Sequence, residues 1–106
     1  MAKIAAVARD ATALNLGLTG IHVEDVRDIR EAEKRVDELL QDKLDVLILD
    51  ERYREEFSDR FMTRLQRHTG EPLVVFCPPF EDEDADVDAY LSAVIKPAVG
   101  FEIRLA

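Results

Sequence analysis

Asp10 follows the apolar run KIAAVAR, and Asp50 and Glu51 follow LDVLIL, so three carboxylates stand where strand-like segments end. At the C-terminal edge of a parallel sheet, where open α/β folds keep their ligands, such a group can hold a metal ion, accept a phosphoryl group or simply end a strand. The stretch EDEDADVD, residues 81–88, offers a second arrangement, with Asp82, Asp84, Asp86 and Asp88 in alternate positions as in a calcium loop. The sixth position counted from Asp82 is Val87, where the sharp turn needs glycine, and the twelfth is Ala93, where the bidentate glutamate belongs. These acids are better read as solvating a loop and complementing the positive end of the helix that follows.

The remaining reactive side chains lack partners. His22 and His68 have no paired ligand spacing, and Cys77 lies inside an apolar run, which suits a core position better than a nucleophile. Ser58 and Ser92 read as mid-helix residues outside any nucleophile-elbow pattern. The glycines are Gly17, Gly20, Gly70 and Gly100, from which neither a P-loop nor a dinucleotide fingerprint can be drawn. No cofactor, metal site or catalytic residue is expected.

Whether the strand-end carboxylates meet depends on the elements that carry them. Residues 3–9 read as a strand, and DATALNLGLTG reads as a short helix closed by Gly20. IHVEDV reads as a short edge strand. Asp28 and Glu31 form a capping-box pattern ahead of a stripe of Ile29, Ala32, Val36, Leu39 and Leu40, which predicts a second helix. LDVLILD, apolar on both faces apart from Asp45, predicts a strand in the centre of a parallel sheet. Tyr53, Phe57, Phe61 and Leu65 recur every four residues, which predicts one helix from Tyr53 to His68 ended by Gly70. PLVVFCP reads as a fourth strand stopped by Pro78 and Pro79. A last helix carries Val87, Tyr90, Leu91, Val94 and Ile95, with Pro97 ending or kinking it.

This alternation predicts a small Rossmann-like or flavodoxin-like α/β domain with a four-stranded parallel sheet and helices on both faces. The domain spans residues 1–100, and residues 101–106 form a short C-terminal tail with Phe101, Ile103 and Leu105 on one face and Glu102 and Arg104 on the other. A net charge of -9 over 106 residues argues against nucleic acid or an anionic membrane as a partner and favours a basic protein surface. A single cysteine and the absence of a spanning-length apolar run predict a soluble protein of a reducing compartment, without direct membrane insertion.

Two readings compete for the carboxylates. Asp10, Asp50 and the Lys96-Pro97 pair echo the acid, phosphoacceptor and lysine of a response-regulator receiver, but only nine residues follow Pro97, too few for that fold's last helix. The chain also resembles, along essentially its whole length, the F subunit of the archaeal and bacterial V/A-type ATP synthase. NLGLTGI is similar to that family's G-F-x-L-x-G segment and its following apolar residue, with Leu18, Gly20 and Ile21 matching and Asn15 and Leu16 departing. LDVLILDE falls on I-G-I-I-L-I-T-E, PLVVFCP on P-x-I-V-x-I-P, and VIKPAVGFEI on I-x-x-A-I-G-F-D-I with Pro97 as a departure. The resemblance implies a non-catalytic central-stalk component, cytoplasmic and peripheral to the membrane. It would bind the coiled-coil D subunit of the stalk, between the A/B catalytic hexamer and the membrane-ring adaptor. It also implies that Asp50 caps the following helix and is no phosphoacceptor. Tyr90, Val94, Phe101, Ile103, Arg104 and Leu105 are the candidate partner-binding residues. A receiver-like phosphoacceptor and a stand-alone α/β adaptor remain the alternatives.

Overall fold

The computed structural model describes residues 3–82 and 86–95, the last two by their backbone alone. Strand β1 (Ile4–Ala8) leads to helix α1 (Asp10–Gly17), β2 (His22–Asp25), α2 (Ile29–Leu40) and β3 (Val46–Asp50). Two short helices, α3 (Tyr53–Glu56) and α4 (Asp59–Gln66), precede β4 (Leu73–Cys77), and α5 (Val87–Tyr90) runs on into a π-helical turn, Leu91–Ile95. The four strands form one sheet in the order β2-β1-β3-β4, with every neighbouring pair parallel. Chain direction across the sheet reverses between β1 and β3: from β1 the chain goes out to β2 and then returns to the other side. That reversal is a topological switch point.

Burial follows from this order. Every residue of β1 and β3 is buried, as continuous apolar runs covered on both faces should be, whereas β2 and most of β4 are only partly covered at the two edges. Side chains alternate between two cores. Ala5, Val7, Leu47 and Leu49 pack with α2, α3 and α4, while Ile4, Ala6, Ala8, Val46 and Ile48 pack with α1 and α5. Helices therefore lie on both faces. Asp28 is the N-cap of α2, its carboxylate accepting from the Glu31 amide at 2.9 Å, which is the N-cap half of the predicted capping box.

The single helix expected over Tyr53–His68 is two helices. Phe57 and Ser58 are extended, with ψ of 148° and 150°. Ser58, read in the sequence as mid-helix, is the N-cap of α4: its hydroxyl accepts from the Phe61 amide at 3.2 Å, and its own amide donates to Glu33 at 2.8 Å. A serine that bonds local backbone groups competes with the helix and restarts it. The four-residue stripe survives the break, since Tyr53, Phe57, Phe61 and Leu65 are all buried. Phe57 stacks on Tyr53 with ring centroids 5.3 Å apart and meets Phe61 edge to face at 4.8 Å. The second helix ends at Gln66, four residues before Gly70, whose φ of 79° turns the chain toward β4.

Candidate functional site

The switch point brings together the ends of β1 and β3, and so the carboxylates singled out in the sequence. Asp50 ends β3 with no exposed surface. Its Oδ1 accepts from the Arg52 amide and from Arg52 Nε, both at 3.0 Å, and its Oδ2 accepts from Arg52 Nη2 at 2.6 Å. Arg52 Nη2 also donates to the Arg9 carbonyl at 3.0 Å and lies 3.5 Å from the Thr12 hydroxyl, while Nη1 donates to Glu81 at 2.9 Å and stands 3.8 Å from Asp10 Oδ2. One guanidinium thus fills the space between the two strand-end acids. Asp10 itself sits at the start of α1 with φ of 58°, a left-handed conformation that aspartate tolerates better than most residues, and its Oδ1 accepts from Arg27 at 2.7 Å.

A second layer supports the first. Arg9 grips Glu56 with two hydrogen bonds of 2.7 and 2.6 Å and lies 5.4 Å from the Tyr53 ring centre, and the Tyr53 hydroxyl donates to the Val26 carbonyl. Burial by itself would push the Asp50 carboxyl up, but the Arg52 hydrogen bonds and charge outweigh it and hold the group below the ordinary carboxylate value. The hydrogen bond to Asp50 raises the Arg52 guanidinium in turn, the Arg9 hydrogen bond holds Glu56 low, and burial raises the Tyr53 phenol. Each of these four groups is held in its ordinary charge state at neutral pH.

Chemically, this site is closed. A phosphoacceptor carboxylate needs a free oxygen in reach of its donor, and both Asp50 oxygens are buried and taken up by Arg52. The receiver reading is corrected on this ground. The expected helix cap is corrected too: Asp50 bonds the amide two residues on, in an Asx-type turn, while the N-cap of α3 is Arg52, with no side-chain bond to it. Sequence reasoning passed over Arg52. The signal available was its place two residues after a strand-ending acid, close enough to fold back onto it.

Elsewhere the reactive residues are scattered. His22 lies 3.3 Å from Glu24, and His68 Nε2 lies 3.0 Å from the Pro72 carbonyl. Cys77 is fully buried, and burial pushes its thiol up to about 12. Among the described residues no group of three or more His, Cys, Asp or Glu is placed to hold a metal ion. Of the acidic loop, residues 83–85 lie outside the described residues; Asp86 caps α5 by accepting from the Ala89 amide at 2.9 Å. Asn15 on α1 ties the near side of that loop, donating to the Phe80 carbonyl at 2.6 Å and the Asp82 carbonyl at 3.2 Å.

Of the candidate partner-binding residues, Tyr90 alone has a described side chain. It is half-buried, packs edge to face on Phe80 at 5.3 Å and has its hydroxyl 3.4 Å from the Phe76 carbonyl; burial pushes its phenol up to about 12. Val94 is described by its backbone only, and Phe101, Ile103, Arg104 and Leu105 lie outside the described residues. An open surface that the sequence reading overlooked lies on α1 and its C-cap, where Leu14 is 64% and Leu18 is 73% exposed. No helix among the described residues is long and apolar enough to cross a membrane.

Comparison with known proteins returns a family model described as ATP synthase (F/14-kDa) subunit, which matches residues 4–94. No curated protein matches the chain at a significant level.

Proposed function

We propose, because the chain belongs to the ATP synthase (F/14-kDa) subunit family, that it serves as the non-catalytic central-stalk F subunit of a V/A-type rotary enzyme. In that role it binds the coiled-coil D subunit and turns with it between the A/B catalytic hexamer and the membrane-ring adaptor, coupling or tuning ATP turnover with proton or sodium transport. The observation that carries the reading is the family match over residues 4–94. The chemistry of the switch point agrees: the place where such a fold keeps a ligand is occupied by the chain's own Arg52, bonded to Asp50. The rotor reading puts the protein on the cytoplasmic side, held at the membrane through its complex.

Within this reading, residues 1–100 act as one domain and the tail 101–106 is the main partner-binding element. Phe101, Ile103 and Leu105 would present an apolar row to the coiled coil, Arg104 would meet an acid at its rim, and Tyr90 and Val94 would extend the contact along the last helix. Tyr90 contributes chiefly by position, since Phe80 and the Phe76 carbonyl already engage it. A buried interface phenylalanine is worth ~2 kcal/mol or more on truncation. Phe101→Ala is therefore expected to weaken binding to the purified coiled-coil partner by roughly tenfold or more, with the melting temperature of the free chain unchanged. A steep fall in melting temperature with normal binding by the folded fraction would assign the tail to the core instead. The same purified chain should give no heat with ATP and magnesium, having no glycine-rich loop followed by Lys-Ser or Lys-Thr to hold phosphates.

A further inference from the structure

We propose that the open flank of α1 is a second docking groove, and that its occupant is an amphipathic helix of a partner protein whose apolar stripe is bordered by lysine or arginine. Leu14 and Leu18 stand four residues apart, one turn on the same face, and are 64% and 73% exposed. The opposite side of the same segment is already spent on the core, where Ala13 and Leu16 are 5% and 0% exposed. Two large apolar side chains on one turn gain by burial, and the described residues leave both open. Beside the two leucines runs a shallow groove of about 560 Å³ whose apolar floor includes Gly17, Ile21 and Val23. A ridge of i, i+4 side chains beside a groove is the surface that another helix packs against.

Charge selects the partner. The groove lining contains Asp10, Asp25 and His22 and neither lysine nor arginine. Asp10 and Asp25 are both exposed, and Asp10 is bonded to Arg27. With a chain charge of -9, a second copy would bring acidic rim against acidic rim, and an anionic lipid surface would be repelled. A helix carrying basic residues beside its apolar row gains on both counts.

The inference rests on the rotor reading for its choice of probe, the purified coiled-coil D subunit of the same complex. The full chain, the double variant Leu14→Gln/Leu18→Gln and Asp25→Asn are titrated against it at two salt concentrations, with sedimentation of each chain alone. The expected result is binding weakened roughly tenfold or more by the double variant, with an unchanged melting temperature, and a shallower salt dependence in Asp25→Asn. Wild-type affinity in the double variant, with Phe101→Ala still impaired, overturns the groove and leaves the rotor reading standing. Failure of the wild type to bind the coiled-coil probe overturns both. A wild-type dimer that the double variant converts to monomer overturns the proposed occupant in favour of a second copy.

Discussion

The two flanks of α1 handle surface in opposite ways. At its N-terminal end, at the switch point between β1 and β3, Arg52 spans Asp50, Asp10 and Glu81, and both oxygens of the buried Asp50 are engaged. Along its outer face two large leucines lie open beside a groove. The first region has the polar groups of an active site, with the buried Asp50 oxygens already bonded; the second is a groove lined mostly by apolar side chains. The fold's customary ligand position holds an internal ion-pair cluster that joins strands, while the open apolar surface lies on a helix face. Such a division suits a protein that works by contact with other proteins.

The largest effect that sharpens this contrast is expected at Tyr53, which has no exposed surface, stacks on Phe57 and bonds the Val26 carbonyl. Tyr53→Ala should lower unfolding free energy by about 3–5 kcal/mol in urea titration, whereas Leu18→Ala should change it by less than about 0.5 kcal/mol. Equal costs at the two positions would dissolve the distinction between closed and open flanks.

Next is Arg52→Met, which leaves the Asp50 carboxylate buried without its cation and should cost about 3 kcal/mol at pH 7. The sign of its pH dependence follows from the depressed Asp50 pKa. In the wild type this group's stabilisation is fully present above the unfolded carboxylate value near pH ~4 and is lost as pH falls through the lower folded value. In the variant, burial without a partner favours the protonated acid, so the gap between the two proteins should close in acid. Denaturant midpoints measured from pH 7 downward check this, and a gap that stays constant would mean that Arg52 acts by packing alone.

Smaller changes follow. Ser58→Ala removes the cap that restarts the chain as α4 and should cost about 1 kcal/mol. Its urea midpoint would match the wild type if α3 and α4 could fuse into one helix without loss. The smallest effect is expected from Leu14→Gln/Leu18→Gln, within about 0.5 kcal/mol of the wild type. A clear loss of stability there would show that the α1 leucines serve the fold.

The sheet and its helices were legible because their signals are local. β1 and β3 are apolar without interruption, and the spacings in α2 and in α3–α4 repeat every three or four residues. What escaped was set by competition or by tertiary geometry. The break at Ser58 turns on a hydroxyl that bonds Phe61 and an amide that bonds Glu33 from another helix, and a periodicity count cannot see either. Asp50 drew attention correctly as a strand-ending acid, but its role depends on Arg52, whose side chain reaches back to Asp50, across to the Arg9 carbonyl and out to Glu81. The exposure of Leu14 and Leu18 was hidden for a different reason. Leu14, Leu16 and Leu18 leave the buried side of the segment undecided in the sequence, and only the packing of α1 against β1 and β2 shows which of them are left open.

The central claim, that this chain is a non-enzymatic part of a rotary complex, is tested most directly by native mass spectrometry of the tagged full chain purified from the cells that encode it. The expected result is a stable assembly in which the chain is held together with a long heptad-rich partner and P-loop catalytic subunits, in fixed stoichiometry. Recovery of the chain alone or as a homodimer, under conditions that keep the catalytic hexamer intact, would contradict it.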